Sequence, residues 1–147
     1  MSEMLANQYF LFKKYNLAAK ELEHALETSD GSKLLIKKLI ICYTQINKPR
    51  EALDLFVKLA ETDFDFIMQT DPTSEDCPCF ELIDRIKYDI VRYENLFTKY
   101  YVMGMLSLYC DLNSSQKFFN EALKLEPGNK SINKILKLLN NKIIKIN

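Results

Sequence analysis

The chain of 147 residues is poor in residues that interrupt helices and in histidine, the most frequent general acid–base residue of enzymes. It contains no tryptophan, three glycines, four prolines and one histidine. Because Gly and Pro end helices and form turns, their scarcity indicates a mostly helical protein. The glycines stand far apart, which excludes a glycine-rich phosphate-binding loop. His24 has no serine or cysteine placed to complete a catalytic triad. The sequence therefore predicts a helical protein that is not an enzyme.

The chain also lacks an excess of charge of one sign. Lys and Arg number 20 and Asp and Glu number 20, so no overall electrostatic field favours nucleic acid or an anionic membrane. No stretch approaches the ~18 consecutive apolar residues that a membrane span requires, and residues 1–10 do not resemble a signal peptide. We therefore expect a cytoplasmic protein without membrane insertion, nucleic-acid binding or a cofactor. Its four cysteines are expected to be reduced thiols.

The chain does contain a repeat, in which residues of similar type recur 34 positions apart. A fixed period of this length is typical of stacked helical hairpins, in which no single hairpin can bury its apolar face alone. The four matched pairs are Tyr9 and Tyr43, Ala18 and Ala52, Leu22 and Phe56, and Ala25 and Leu59.

Apolar residues at helical spacing predict the individual helices. Turns are expected around residues 13–16, 29–32, 47–49 and 111–114, and a loop is expected over residues 70–79, which contain Pro72 and Pro78. The expected helices cover residues 3–12, 17–28, 33–46, 50–61, 80–93, 98–110 and 131–145, with a further short helix at 63–68.

The run of residues 47–56, NKPREALDLF, resembles the turn and second helix of the tetratricopeptide repeat (TPR), and residues 118–127 resemble the end of that repeat. This resemblance implies an all-α fold in which antiparallel helix pairs form a short right-handed superhelix. Ser115 stands where the family usually has a small alanine, provided that the turn at 111–114 loses one residue. We therefore expect a single domain, residues 1–147, made of repeat 1 (1–30), repeat 2 (31–63), a degenerate unit (64–97), repeat 3 (98–129) and a capping helix (130–147).

The resemblance also implies a function, since TPR proteins usually bind other proteins in a concave groove lined by the first helix of each pair. The chain is thus expected to be a non-catalytic adaptor or assembly factor that binds a peptide or a helix of a protein partner. An alternative is that the apolar groove residues are packed and the two lysines are solvated. The family pattern places these candidate residues in the groove: Asn7, Phe10, Leu11, Lys37, Lys38, Ile41, Thr44 and Gln45.

Three alternatives remain open. The chain resembles small TPR chaperones that hold a secreted or unstable client. Cys77 and Cys79 lie two residues apart and suggest a metal or thiol sensor, although no further Cys pair or His completes a metal site. The apolar stripe of residues 132–143 is expected to cap the third repeat, and its alternative role is the interface of a homodimer.

Overall fold

The structure, a computed structural model, describes residues 2–28, 32–69 and 79–146, in which the regular secondary structure consists of helices, joined by turns and short irregular segments. The all-α fold class is therefore confirmed for the described part of the chain. The helices are α1 (Ser2–Leu11), α2 (Tyr15–Thr28), α3 (Lys33–Gln45), α4 (Pro49–Met68), α5 (Cys79–Lys87), α6 (Leu96–Leu108), α7 (Leu112–Leu125) and α8 (Lys130–Ile146).

The chain divides into two compact units, Met1–Phe56 and Val57–Asn147, with the boundary inside α4. In the first unit α2 packs between α1 and α3. In the second unit α6 packs against α5 and α7, and α7 packs against α8. Within the described ranges, each helix is too short or too polar to cross a membrane.

Three helical hairpins have the same register, counted from the first residue of their second helix. The turns before α2, α4 and α7 each contain three residues, 12–14, 46–48 and 109–111. In each of these three helices, a small residue stands three positions after the first residue, a large residue seven positions after it and an apolar residue ten positions after it. All nine of these residues are buried. The three sets are Ala18, Leu22 and Ala25; Ala52, Phe56 and Leu59; and Ser115, Phe119 and Ala122.

This register corrects the expected turn at residues 111–114. The turn ends earlier, because Asp111 caps α7 and the helix begins at Leu112. The Asp111 carboxylate accepts hydrogen bonds from the backbone N–H of Asn113 (3.1 Å) and the hydroxyl of Ser114 (2.6 Å), which satisfies donors at the helix start. Ser115 therefore takes the position of Ala18 and Ala52 without the loss of a residue.

Three helices end in the same way without a glycine. Lys13, Asn47 and Asp89 adopt left-handed backbone conformations, with φ of 61°, 62° and 60°. The N–H of the next residue bonds to a carbonyl five residues earlier, which is the Schellman pattern of a helix end. These bonds run from Lys14 to Tyr9 (2.9 Å), from Lys48 to Tyr43 (3.0 Å) and from Ile90 to Arg85 (2.8 Å).

The Schellman end at Asp89 makes α5 shorter than expected. The predicted helix over residues 80–93 ends at Lys87, and Ile90 is exposed. Apolar residues at helical spacing continue beyond Lys87, but the left-handed conformation of Asp89 ends the helix and changes the direction of the chain. The expected loop over residues 70–79 lies outside the described residues except at Cys79, which is the first residue of α5.

Helix α4 combines two expected helices, 50–61 and 63–68. Asp63 lies inside it with non-helical backbone angles, φ −156° and ψ 80°. Its carboxylate accepts a hydrogen bond from the backbone N–H of Phe66 (3.1 Å), as an N-cap residue does. The expected boundary between the two segments is thus present as a break in one helix.

Candidate binding surfaces

Three of the predicted groove residues meet in the first unit. The ammonium of Lys38 on α3 donates a hydrogen bond to the side-chain oxygen of Asn7 on α1, at 2.8 Å. The same nitrogen lies 5.6 Å from the centre of the Phe10 ring, close enough for a cation–π attraction. Phe10 in turn packs edge to face against Tyr15, with ring centres 5.9 Å apart. The family pattern therefore brought together residues that do share one cluster.

Five of the eight predicted groove residues are buried. Lys37 and Lys38 are 2% and 4% exposed, so the part of the alternative in which the lysines are solvated is wrong. Its other part, packed apolar residues, holds for Phe10 and Ile41 and not for Leu11. Leu11 is half exposed, and Asn7 and Gln45 are partly exposed. The buried residues are Phe10, Lys37, Lys38, Ile41 and Thr44. A partner at this surface would first meet Asn7, Leu11 and Gln45, and binding in the groove stays a prediction.

The polar groups at the end of α3 bond within their own helix. The hydroxyl of Thr44 donates to the carbonyl of Ile41 at 2.6 Å and accepts a hydrogen bond from the amide of Gln45 at 3.1 Å. Burial also raises the pKa of the neighbouring Cys42 thiol to about 12, although the Lys38 charge acts in the opposite direction. This part of α3 is therefore an interior environment.

A second surface lies in the other unit, where α5, α6 and α7 enclose a cleft of about 450 Å³. Phe80 stands at this cleft and is 57% exposed, while Ile83 and Phe118 are partly exposed. Met103 of α6 is buried in its lining. The cleft therefore offers a concave apolar surface, the kind of site that most often receives a ligand or a partner side chain.

Charged residues surround this apolar lining. Asp84 and Lys87 come from α5, Lys99 from α6, and Asp111 from the turn before α7. The hydrogen bond from Ser114 holds the pKa of Asp111 below its usual value, so this carboxylate is charged and engaged at the start of α7. Lys99 lies 3.8 Å from Asp89. The lining thus carries charges of both signs.

The cleft was not predicted, because the helix over residues 80–93 was expected only from apolar residues at helical spacing, which is typical of a single buried face. In the structure α5 has two apolar faces: Cys79, Leu82 and Ile86 are fully buried, whereas Phe80 and Ile83 line the cleft. The sequence did contain a signal for the second face. Four of the first five positions of α5 are apolar (Cys79, Phe80, Leu82 and Ile83), and an apolar stripe of this width is wider than one neighbouring helix can cover.

The cysteine pair is tested only in part. Cys77 lies outside the described residues, and Cys79 is buried at the start of α5. In the described part of the chain, His, Cys, Asp and Glu residues do not gather in a group of three or more that could hold a metal ion. The metal or thiol sensor stays a prediction.

The C-terminal helix buries most of its predicted stripe. Ile132, Ile135, Leu136 and Leu139 are buried. Its polar side forms ion pairs with α4, from Lys134 to Glu61 at 3.7 Å and from Lys142 to Asp65. Ile144 remains exposed. These contacts favour the capping role over a homodimer interface, which stays a prediction.

Comparison of the chain with protein-family models, with curated proteins and with solved structures gives no match. We therefore infer the function from the surfaces of this chain and from the shared register of its hairpins.

Proposed function

We propose that this chain is a non-catalytic protein-binding module, an adaptor or assembly factor of the cytosol, whose hairpins stack as a TPR-like right-handed superhelix. The shared register of three hairpins supports the TPR assignment, because equivalent small and large residues recur at equivalent helix positions. Repeats of this kind present surfaces to partners over their length.

The observation that carries the binding function is the cleft between α5, α6 and α7. Phe80 is a large apolar side chain that is 57% exposed beside a cavity of about 450 Å³. Exposure of the Phe80 side chain costs about 2 kcal/mol of free energy relative to its burial. A partner that covers the ring gains this free energy on binding. An exposed aromatic beside a concave apolar lining is the usual form of a binding hot spot.

The occupant we propose is an amphipathic helix of another protein. A cavity of this volume accommodates a few side chains and not a whole helix, so the partner inserts apolar residues from one helical face, at i, i+3, i+4 and i+7. Lys87, whose ammonium lies 6.0 Å from the Tyr88 ring centre, is exposed at the lining. An acidic residue beside the apolar face of the partner helix would complement this charge.

The experiment is capture of partners from the native lysate with wild-type protein and three variants. Phe80→Asp places a charge in the cleft. Leu125→Asp is the matched control, since Leu125 is also exposed and lies outside the cleft lining. Gln45→Arg alters the accessible part of the predicted groove. Circular dichroism first checks that each variant is folded.

A partner held by wild type and by Leu125→Asp but lost by Phe80→Asp supports the cleft. Loss by Gln45→Arg alone moves the site to the groove between α1 and α3. A protein captured equally by all variants contradicts both sites. Capture of one unfolded client would favour the chaperone alternative.

A further inference from the structure

Helix α1 has an apolar face that is exposed in this structure. Met4 and Phe12 are 67% and 75% exposed, and Leu5 and Leu11 are 37% and 49% exposed. The other side of the helix is covered, because Ala6 and Phe10 are buried and α1 packs against α2. Phe12 continues the helical spiral, since its N–H bonds to the carbonyl of Gln8 at 3.1 Å. Three large apolar side chains on α1, together with Phe12 directly after it, form a surface that usually marks an interaction site.

These residues are arranged symmetrically about Gln8. Met4 and Leu11 are seven residues apart and lie on one side of the face, and Leu5 and Phe12 are also seven apart and lie on the other side. The exposed Gln8 lies between the two rows and near their midpoint. A face with this arrangement is complementary to itself when a second copy is turned by 180°.

We propose that this face binds a second copy of the chain, with the two α1 helices antiparallel and a two-fold axis passing beside Gln8. In this arrangement Met4 contacts the partner's Leu11, and Leu5 contacts the partner's Phe12. Each contact then occurs twice, as a two-fold interface requires. The side-chain amides of the two Gln8 residues meet at the centre, where each offers both a donor and an acceptor.

The helix dipole and the charges near the two ends of α1 favour the antiparallel orientation, and Glu3 acts from the Ala6 side of the helix and not from within the exposed face. Glu3 lies at the N-terminal end, and Lys13 and Lys14 follow the C-terminal end. Antiparallel pairing places the acidic end of one helix beside the basic end of the other, and it also opposes the two helix dipoles. Parallel pairing would place like charges together at both ends.

The size of the face sets the expected affinity. Helix α1 has 10 residues and is therefore about 15 Å long. Two faces of this length bury less than the roughly 1,200 Å² that stable complexes usually bury. The dimer is thus expected to be weak and reversible, with a Kd on the order of ten micromolar.

Sedimentation equilibrium of the wild-type protein from about 1 to 500 µM is the first test, because that range brackets the expected Kd. The weight-average mass should rise from that of the 17.2 kDa chain towards twice that value. Phe12→Glu should raise the Kd at least tenfold, because it places two charges in the interface. Ile144→Glu is the matched control, since Ile144 is exposed to a similar degree on α8 and belongs to the other candidate dimer interface.

The orientation has its own tests. Glu3→Lys alone and the pair Lys13→Glu with Lys14→Glu should each weaken the dimer several-fold, and the triple variant should restore it. Gln8→Cys should form a disulfide-linked dimer under mild oxidation, because residues beside a two-fold axis approach within disulfide range. For Glu3→Cys, at the end of the helix, the amount of disulfide-linked dimer should not exceed that formed by the wild-type protein.

A wild-type chain that remains monomeric at 500 µM overturns the proposal. So does a dimer that Phe12→Glu leaves intact and Ile144→Glu disrupts, since that result assigns the interface to α8. A dimer that is linked through Glu3→Cys and not through Gln8→Cys would overturn the antiparallel arrangement.

Discussion

The ring of Phe119 lies against the backbone of Gly104, where α6 and α7 cross. A Cβ added at Gly104 would stand 2.9 Å from two ring atoms of Phe119, closer than carbon atoms pack. Both residues are in the second unit, and Phe119 is fully buried. The hydroxyl of Ser115 also donates to the Gly104 carbonyl at 2.7 Å. The helix pair therefore approaches closely because position 104 has no side chain.

We expect Gly104→Ala to lower the free energy of unfolding by about 1–2 kcal/mol, because the buried ring has little room to move. The better helix propensity of alanine offsets part of this loss. Gly128→Ala is the matched control, since a Cβ there meets no atom within 4 Å. Urea unfolding followed by circular dichroism measures both. Equal stability of the two variants would contradict the close approach.

The buried ammonium of Lys38 should depend on Asn7. Asn7→Leu removes one acceptor of this ammonium, at 2.8 Å, and we expect a loss of about 2 kcal/mol because the donor is charged. Lys38→Met keeps the apolar stem and removes the charge, so Asn7→Leu made in that background should cost less than about 0.5 kcal/mol. Urea unfolding of the two single variants and the double variant completes the cycle. Additive losses would show that the two groups do not interact.

The cap at Asp111 should make stability depend on pH. Its pKa is lowered, chiefly by the hydrogen bond from Ser114, so the carboxylate stabilises the fold above the unfolded pKa of about 3.9. This contribution is lost as the pH falls through the folded value. Asp111→Ala should therefore cost about 1 kcal/mol at pH 7 and less at pH 3.

The control for this cap is Asp111→Asn, which keeps a capping oxygen and does not titrate. Its stability at pH 7 should be close to that of the wild type, and its dependence on pH between 3 and 6 should be weaker. Urea midpoints across this range provide the measurement. A pH dependence that survives Asp111→Asn unchanged would assign it to other carboxyl groups.

The cysteines of the described residues should differ in reactivity. With its pKa raised to about 12, Cys42 is thiolate to a fraction of only about 10⁻⁴ at pH 8, and it is also buried. Cys110 is partly exposed at the cleft. Iodoacetamide labelling read by peptide mass spectrometry should modify Cys110 much faster than Cys42. The difference should vanish in 6 M guanidinium chloride, and similar native rates would contradict the burial of Cys42.

Most helices were predictable because their apolar residues repeat at helical spacing. The 34-residue offset placed the ends of α1 and α3, and the starts of α2 and α4, at matching positions. The end of α5 was not predictable in this way, since Asp89 takes a left-handed conformation that glycine would have signalled and aspartate does not.

The candidate surfaces were less predictable than the helices. The predicted groove set includes three residues that contact one another, Asn7, Phe10 and Lys38, but an isolated sequence gives no reason to bury two consecutive lysines. The burial of Lys37 and Lys38, the exposure of Phe80 and the uncovered face of α1 appear only in three dimensions.

Sequence alone therefore determined that the chain is helical, where most helices lie and which positions of the hairpins are equivalent. Helix formation depends on residues within a few turns of one another, and these are neighbours in the sequence. The tertiary structure decided which faces are covered. Burial depends on residues distant in the chain, such as Gly104, whose missing side chain lets Phe119 approach, and no local pattern contains that information.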